Sequence, residues 1–95
     1  MAKLVVLTEG LTGRTYELKV DRTTVGRVED NAFHIAEPSV SSHHAEILLR
    51  GSDVIVKDLG STNGTYVGAA RITQPTTVTI GTRIRIGKTI LELRK

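Results

Sequence analysis

The sequence of residues 53–67 is DVIVKDLGSTNGTYV. Its first part, from Asp53 to Leu59, alternates side chains with the period of two that is typical of a β-strand. Asn63-Gly64 then indicates a tight turn, because both residue types tolerate backbone angles that others avoid. A second β-branched run, Thr65 to Val67, follows at once. The stretch therefore predicts a strand, a polar loop and a further strand.

Short apolar runs between polar turns occupy the rest of the chain as well. No segment keeps a helical apolar period for three turns, so helices are not expected. In the run from Thr15, the residues Tyr16, Leu18 and Val20 form the apolar side. Hairpin connections are predicted at residues 10–13 and 51–52. The remaining predicted strands are Lys3–Thr8, Thr15–Val20, Thr23–Arg27, Phe33–Ala36, His43–Arg50, Arg71–Ile72, Thr76–Ile80, Thr82–Ile86 and Thr89–Arg94. About ten short strands at close spacing predict an all-β sandwich or barrel.

Length and composition narrow the class of protein. The chain has 95 residues, which predicts a single domain over 1–95. It lacks cysteine, which removes disulfides and thiolate chemistry. No uncharged stretch is long enough for a membrane helix and no signal-peptide pattern is present, so a cytoplasmic location and no membrane partner are expected. The net charge of +3 is scattered and aromatic residues are 3%, which argues against nucleic-acid binding.

Three polar clusters lie between the predicted strands: Gly26-Arg27, Ser41-Ser42-His43-His44 and Gly60–Thr65. Together they offer a guanidinium, several hydroxyls and an amide from loops. A guanidinium presents a planar set of donors that matches phosphate oxygens, and hydroxyls and free backbone N–H groups add further donors. The clusters therefore predict a site for a phosphate-bearing ligand.

Each cluster also has a purely structural interpretation. Arg27 could form a local salt bridge with Glu29 or Asp30, and Ser41 could form a hydrogen bond with the backbone of its own turn. Residues 62–64 could serve as a hairpin turn and nothing more. The combination of all three clusters favours binding over these separate explanations.

The histidines favour a structural role over metal binding. His43 and His44 are adjacent at a predicted strand start, so their side chains point to opposite faces. His34 is the only other histidine and cysteine is absent, so no metal site is predicted. One of the adjacent imidazoles is expected to tie the Ser41 loop to a neighbouring backbone.

Two sequence patterns resemble enzyme motifs, but each lacks a feature that the motif requires. Residues 81–89 read GTRIRIGKT, which has one residue too many for a phosphate-binding P-loop and no helix to follow. A Ser-His-Asp triad could draw on Ser41 or Ser42, His43 or His44, and Asp58, but the nucleophile-elbow pattern is missing. The chain is therefore predicted to be a binding module and not an enzyme, with no cofactor.

Taken together, the motifs resemble the forkhead-associated (FHA) domain family of phosphothreonine-peptide readers. The resemblance runs through nearly the whole chain in order. Its residues are Gly26-Arg27, Asn31, Pro38–Ser41, His44–Ile47, Asp58–Thr65 and Gly81-x-x-Ile84-x-Ile86-Gly87.

The resemblance implies an eleven-stranded β-sandwich of two antiparallel or mixed sheets, with the ligand loops at one end. It further implies that Arg27 and Ser41 contact the phosphate, that Thr62 lines the pocket, and that Ser42 adds a contact. Asn63 would bond the peptide backbone beside the phosphothreonine.

The resemblance also implies that Gly26 and His44 would support the site, and the turn residue Gly64 is expected to do the same. The chain departs from the family pattern at Ser42-His43, Gly68 and Thr82. None of these departures removes a residue that the resemblance places on the phosphate.

The expected partner is a phosphothreonine-containing protein or peptide that a Ser/Thr kinase has phosphorylated. The domain is expected to be a monomer and to bind this partner with micromolar affinity. The loops at 28–31, 37–42 and 60–65 carry Glu29, Asp30 and Glu37 but no lysine or arginine. No preference for acidic residues near the phosphothreonine is therefore expected. The alternative function is a phospho-independent scaffold that recruits partners through a sheet face or edge.

Overall fold

The computed structural model describes residues 2–8 and 13–95. Eleven strands lie in these ranges: β1 (Lys3–Val6), β2 (Thr15–Glu17), β3 (Arg22–Gly26), β4 (Phe33–His34), β5 (Ala45–Arg50), β6 (Asp53–Asp58), β7 (Thr65–Val67), β8 (Ala70–Arg71), β9 (Thr76–Val78), β10 (Arg83–Ile86) and β11 (Thr89–Arg94). The connection predicted at residues 10–13 lies outside the described residues, apart from Gly13. No helix of the described residues is long and apolar enough to cross a membrane.

The strands form two sheets, which confirms the predicted all-β sandwich. One sheet has the order β2-β1-β11-β10-β7-β8, and the other has the order β4-β3-β5-β6-β9. The pairing of β3 with β4 is parallel, whereas the other recorded pairs are antiparallel. The second sheet is therefore mixed.

The inward side chains of both sheets form one hydrophobic cluster. Ile84, Ile86 and Leu91 from the first sheet and Ile47 and Val56 from the second are fully buried. Burial of each such aliphatic side chain contributes about 1.5–3 kcal/mol, so this cluster is the main source of stability. Strand alternation places every second side chain here, as the period of two predicts.

One prediction about the core is wrong. Val20 was expected on the apolar side of its strand, but 56% of its surface is exposed. The strand β2 ends at Glu17, and only Leu18 enters the core before the chain bends toward β3. Several other strands are likewise one or two residues shorter than the apolar pattern suggested.

The strand register brings the polar loops to one end of the sandwich. Val25 pairs with Ala45 and Ala45 pairs with Asp58, so β3 ends where β5 begins and β6 ends. In the other sheet, Ile86 pairs with both Thr65 and Thr89. The loops at 27–32, 35–44, 59–64 and 87–88 therefore meet at the same end.

Candidate functional site

Arg27 follows β3 and is fixed by backbone on two sides. Its N–H donates to the Ser41 carbonyl at 3.0 Å, and its Nε donates to the Val40 carbonyl at 2.9 Å. Its Nη2 lies 3.4 Å from Ser42 Oγ, which is a weak contact. Anchoring through Nε orients the guanidinium and leaves most of its other N–H groups available to a ligand.

The salt bridge that would have made Arg27 purely structural is not formed. No ion pair recorded for residues 2–8 and 13–95 includes Arg27. Asp30 instead lies 2.9 Å from Nε2 of His43. Arg27 is thus an exposed cation without a carboxylate partner in the part of the chain described.

Three further predicted site residues are linked by hydrogen bonds to the loop that contacts Arg27. Ser41 Oγ accepts a hydrogen bond from the Thr62 N–H at 3.1 Å, which joins two loops across the sandwich end. Asn63 donates from Nδ2 to the Ser39 carbonyl at 2.8 Å. Thr62 and Asn63 are exposed. The structure therefore places Arg27, Ser41, Thr62 and Asn63, with Ser42, in one continuous cluster.

His44 is the imidazole that ties the loops together. Its Nδ1 accepts the Ser41 N–H at 3.0 Å and its Nε2 donates to the Gly64 carbonyl at 2.9 Å, so the neutral Nε2–H tautomer fits both partners. The ring is fully buried. Burial lowers the pKa of His44 from its ordinary 6.5, although the hydrogen bond to Gly64 and the charge of Asp58 act in the opposite direction. With both nitrogens on backbone groups, His44 does not assemble a catalytic triad.

Gly26 occurs where no side chain fits. A Cβ at this position would overlap the Ser42 carbonyl oxygen and would lie 2.6 Å from Asn31 Nδ2. Asn31 Nδ2 itself donates to the carbonyls of Ser42, at 2.7 Å, and Val28, at 2.9 Å. The missing Cβ therefore allows the Ser42 loop to pack against the end of β3.

Gly64 closes the loop that carries Thr62 and Asn63. Its φ of +87° lies in the left-handed region that favours glycine. This conformation directs its carbonyl to His44. The predicted turn is therefore present, and its glycine is also a hydrogen-bond partner of the site.

Asp58 organises the same loop and was not assigned this role from the sequence. Its carboxylate accepts from the N–H groups of Gly60 at 3.0 Å and Ser61 at 3.1 Å, and from the hydroxyls of Ser61 at 2.5 Å and Thr65 at 2.6 Å. Burial raises the pKa of Asp58, but these hydrogen bonds outweigh it and hold the pKa below the ordinary 3.8. The spacing of an aspartate two residues before a glycine is the signal for such a turn.

Ser39 joins three loops and was also missed. Its carbonyl accepts from Asn63, its hydroxyl accepts from the Lys88 N–H at 2.7 Å, and it donates to Glu37. A Cβ on Gly87 would overlap the Ser39 backbone. Ser39 thus positions Asn63, and only the folded arrangement of distant loops reveals this.

The free energy of unfolding is expected to fall as the pH is lowered. The pKa of His44 is lower in the folded protein, so below pH 6.5 the unfolded chain takes up a proton that the folded chain resists. The contribution of neutral His44 to the free energy of unfolding is fully present above pH 6.5. It is lost as the pH falls from 6.5 toward the lower pKa of His44 in the folded protein. Asp58 adds a second loss of the same sign below its ordinary 3.8. Urea unfolding at pH values between 7.5 and 3 measures both steps.

The upper step is expected to disappear in His44→Gln and to persist in the control His43→Gln, whose side chain is exposed. An unfolding free energy that is constant between pH 7.5 and 5 would contradict the assignment to His44.

Fold and loops together define a β-sandwich with polar loops around Arg27 at one end. The family model of the FHA domain matches residues 23–87. The chain therefore belongs to the FHA domain family, as the resemblance in the sequence indicated.

Similar proteins come from mycobacteria. The FHA domain-containing protein FhaB of Mycobacterium tuberculosis is 45% identical over 94 residues, which is 98% of this chain and 61% of FhaB. The chain thus spans about three fifths of the length of this relative. The transcriptional regulatory protein EmbR of the same organism is 39% identical over 75 residues, covering 79% of this chain and 19% of EmbR.

Two solved structures share the fold. An FHA domain from a structural and functional analysis of phosphothreonine-dependent FHA domain interactions has a TM-score of 0.90 and 33% identity, over 99% of this chain and 95% of the other. Mycobacterium tuberculosis EmbR in complex with a low-affinity phosphopeptide has a TM-score of 0.89 and 33% identity, over 98% of this chain and 24% of the other.

Proposed function

We propose that this domain binds phosphothreonine-containing peptides, with the phosphate held by Arg27, Ser41 and Thr62 and with Ser42 as a further contact. The observation that carries the proposal is the state of Arg27. The guanidinium is oriented by the Val40 carbonyl and has no carboxylate partner in the described chain. An oriented, unpaired cation beside hydroxyl groups is suited to an anion that comes from another molecule.

The donors match a phosphate monoester. Phosphothreonine carries about −1.5 to −2 charges at neutral pH and has three acceptor oxygens. The Ser41 oxygen already accepts from the Thr62 N–H, so its own O–H is free to donate to the phosphate. The exposed hydroxyl of Thr62 supplies another donor. Each charge-assisted bond contributes about 1.5–3 kcal/mol.

Asn63 is assigned to the peptide backbone. One of its amide hydrogens is used on the Ser39 carbonyl, which fixes the side chain. The amide oxygen and the second hydrogen remain as an acceptor and a donor. These groups can bond the main chain of a peptide next to the phosphothreonine, whatever its side chains are.

Two similar structures support the proposal that this chain binds phosphopeptides. One is an FHA domain from work on phosphothreonine-dependent interactions, and the other is EmbR in complex with a phosphopeptide. The partner is then a protein phosphorylated on threonine by a Ser/Thr kinase, bound by one copy of the domain in the cytoplasm, where ATP supplies the phosphate. Ordering a flexible peptide offsets several kcal/mol of the contacts, so the affinity is micromolar, or about −8 kcal/mol.

The test is calorimetric titration with a degenerate library of nonapeptides that contain a central phosphothreonine, beside the same library without phosphate. Heat is expected only with the phosphorylated library. Equal binding of both libraries would overturn the proposal and favour the phospho-independent scaffold. A phosphoserine library is expected to bind about fourfold more weakly if the threonine methyl is buried, because one methyl contributes about 0.8 kcal/mol.

A further inference from the structure

The four sheet edges differ in how they are protected against pairing with another chain. An edge strand carries unpaired backbone N–H and C=O groups, and charged side chains or a very short strand normally prevent strand addition. The edges β4 and β8 are two residues long, and β2 carries Glu17 between Arg14 and Lys19. At the fourth edge, β9, residues 72–82 contain no charged side chain. Only Pro75 protects this edge, and it lies before the strand begins.

Part of the backbone of β9 is directed away from its neighbouring strand. The strand pairs with β6 in antiparallel register, from Val56 with Thr76 to Val54 with Val78. In an antiparallel pair, the N–H and C=O groups of every second residue point to the opposite side. Among residues 2–8 and 13–95, no recorded hydrogen bond outside this pairing uses the backbone of 76–78. The open side of β9 is therefore able to pair with one more strand.

A mostly apolar cavity of about 450 Å³ adjoins the end of β9. Its apolar lining comes from both sheets, namely from Ala2, Val54, Val78, Ile80 and Leu93. Ile80 is 54% exposed at the rim, and the next residue, Gly81, donates its N–H to the Leu93 carbonyl at 2.7 Å. Volumes of about 300–1,000 Å³ are typical of sites that bind a ligand. The cavity is therefore large enough for an apolar group of another molecule.

The cavity lies at the opposite end of the sandwich from Arg27. It is lined by the start of β6, whereas the loop that carries Thr62 and Asn63 follows the end of β6. The six residues of β6 span about 20 Å. A molecule in the cavity would therefore not compete with a phosphopeptide for the loops.

We propose that β9 and the adjoining cavity form a docking site for an extended, uncharged segment of a partner protein. The segment adds to the open side of β9 as a further strand, and one of its apolar side chains occupies the cavity. In this mode of recognition, main-chain hydrogen bonds provide affinity and a pocket for a side chain provides specificity. The site requires no phosphate, so the proposal goes beyond the proposed function and does not depend on it.

Charge and area identify the occupant. A charged side chain next to residues 72–82 would lose water without gaining a partner, so an uncharged segment is favoured. The three residues of β9 span about 10 Å, which is too short for the roughly 800 Å² that each partner of a stable dimer buries. A second copy of the chain is therefore disfavoured. A small apolar molecule would leave the open backbone groups of β9 unused.

The experiment uses an unphosphorylated nonapeptide library in which valine or leucine alternates with threonine. Binding to the isotope-labelled domain is followed by heteronuclear NMR. Shifts are expected at residues 76–80, Ala2 and Leu93, and the loops around Arg27 and Thr62 are expected to be unaffected. These shifts would place the peptide at β9 and the cavity.

Two N-methylated forms of the tightest-binding peptide test the main-chain pairing. One form carries N-methyl groups on its odd residues and the other on its even residues, so only one form loses the N–H groups that face β9. That form is expected to bind about tenfold more weakly or worse, because two or three backbone hydrogen bonds are lost. The other form is expected to bind like the unmodified peptide.

The variant Ile80→Ser tests the cavity. It is expected to weaken peptide binding by about fourfold or more, because each methyl group that is no longer buried corresponds to about a factor of four. The control Val20→Ser, in which an equally exposed apolar residue far from the cavity is replaced, is expected to bind normally. Binding of a phosphothreonine peptide is expected to be the same in both variants, so this test is separate from that of the proposed function.

The proposal is overturned if the library causes no shifts at 76–80, if both N-methylated forms bind equally, or if Ile80→Ser binds like wild type. Self-association in sedimentation equilibrium that Ile80→Ser abolishes would show that a second copy is the occupant instead. Binding of N-acetyl-leucinamide as tight as that of the peptides would show that the cavity takes a small apolar molecule and that β9 does not pair with a further strand.

Discussion

Replacement of Arg27 by alanine is expected to weaken binding of the best phosphothreonine peptide from the library by about 100-fold or more. The variant removes the charged donors assigned to the phosphate, and the loss of two charge-assisted bonds of about 1.5–3 kcal/mol each corresponds to at least this factor. Calorimetric titration of wild type and variant with the same peptide measures the ratio directly.

Two further variants make the result specific. Arg50→Ala removes an exposed arginine at the end of β5, away from the loops, and is expected to leave the affinity within about twofold. Arg27→Lys keeps the charge but lacks the planar set of donors, so it is expected to recover only part of the loss. Wild-type affinity in a folded Arg27→Ala domain would refute the phosphate role of Arg27.

The fold could be predicted from the sequence because each strand is indicated by a local sequence pattern. Alternation in the segment at 53–59 and the glycine-containing turns require only residues that are close in the chain. The ends of the strands were harder to predict, as Val20 shows. Its apolar side chain continues the alternating pattern, but β2 has already ended at Glu17. Where a strand stops is decided by its partners, and β2 pairs with β1 only as far as Glu17.

The candidate site was predictable to the extent that its residues have distinctive chemistry. Arg27, Ser41 and Asn63 were singled out as unusual donors in loops. Ser39 carries no such local signal. Ser39 acquires its role from Asn63 and Lys88, which lie 24 and 49 positions away in the chain.

The loops are ordered by the protein itself, and this bears on affinity. Thr62 is bonded to Ser41, Asn63 to Ser39, and His44 to Gly64, so hydrogen bonds within the protein hold the loops against one another. In the proposed complex a peptide would meet donors held by these contacts, so most of the ordering cost would fall on the peptide.

Gly26→Ala is expected to lower the free energy of unfolding by about 3 kcal/mol, a large share of the 5–15 kcal/mol that is typical of a domain. The new methyl group would overlap the Ser42 carbonyl oxygen and crowd the Asn31 amide. Relief requires the Ser42 loop to move away from β3, which breaks the hydrogen bond from Asn31 to Ser42 and displaces the contact between Arg27 and Ser41. Urea unfolding at pH 7.5 measures the loss.

Gly51→Ala separates this steric effect from the general cost of replacing a glycine. Gly51 has a φ of +61° in the β5–β6 turn, and a Cβ there would meet nothing within 4 Å. Its replacement is expected to cost only the backbone strain of about 1–2 kcal/mol. The φ of Gly26 lies outside the left-handed region, so its larger loss would be due to the collision. Destabilisation by Gly26→Ala no greater than that by Gly51→Ala would mean that the Ser42 loop yields easily. The close approach of that loop to β3 would then not be what holds Arg27 in place.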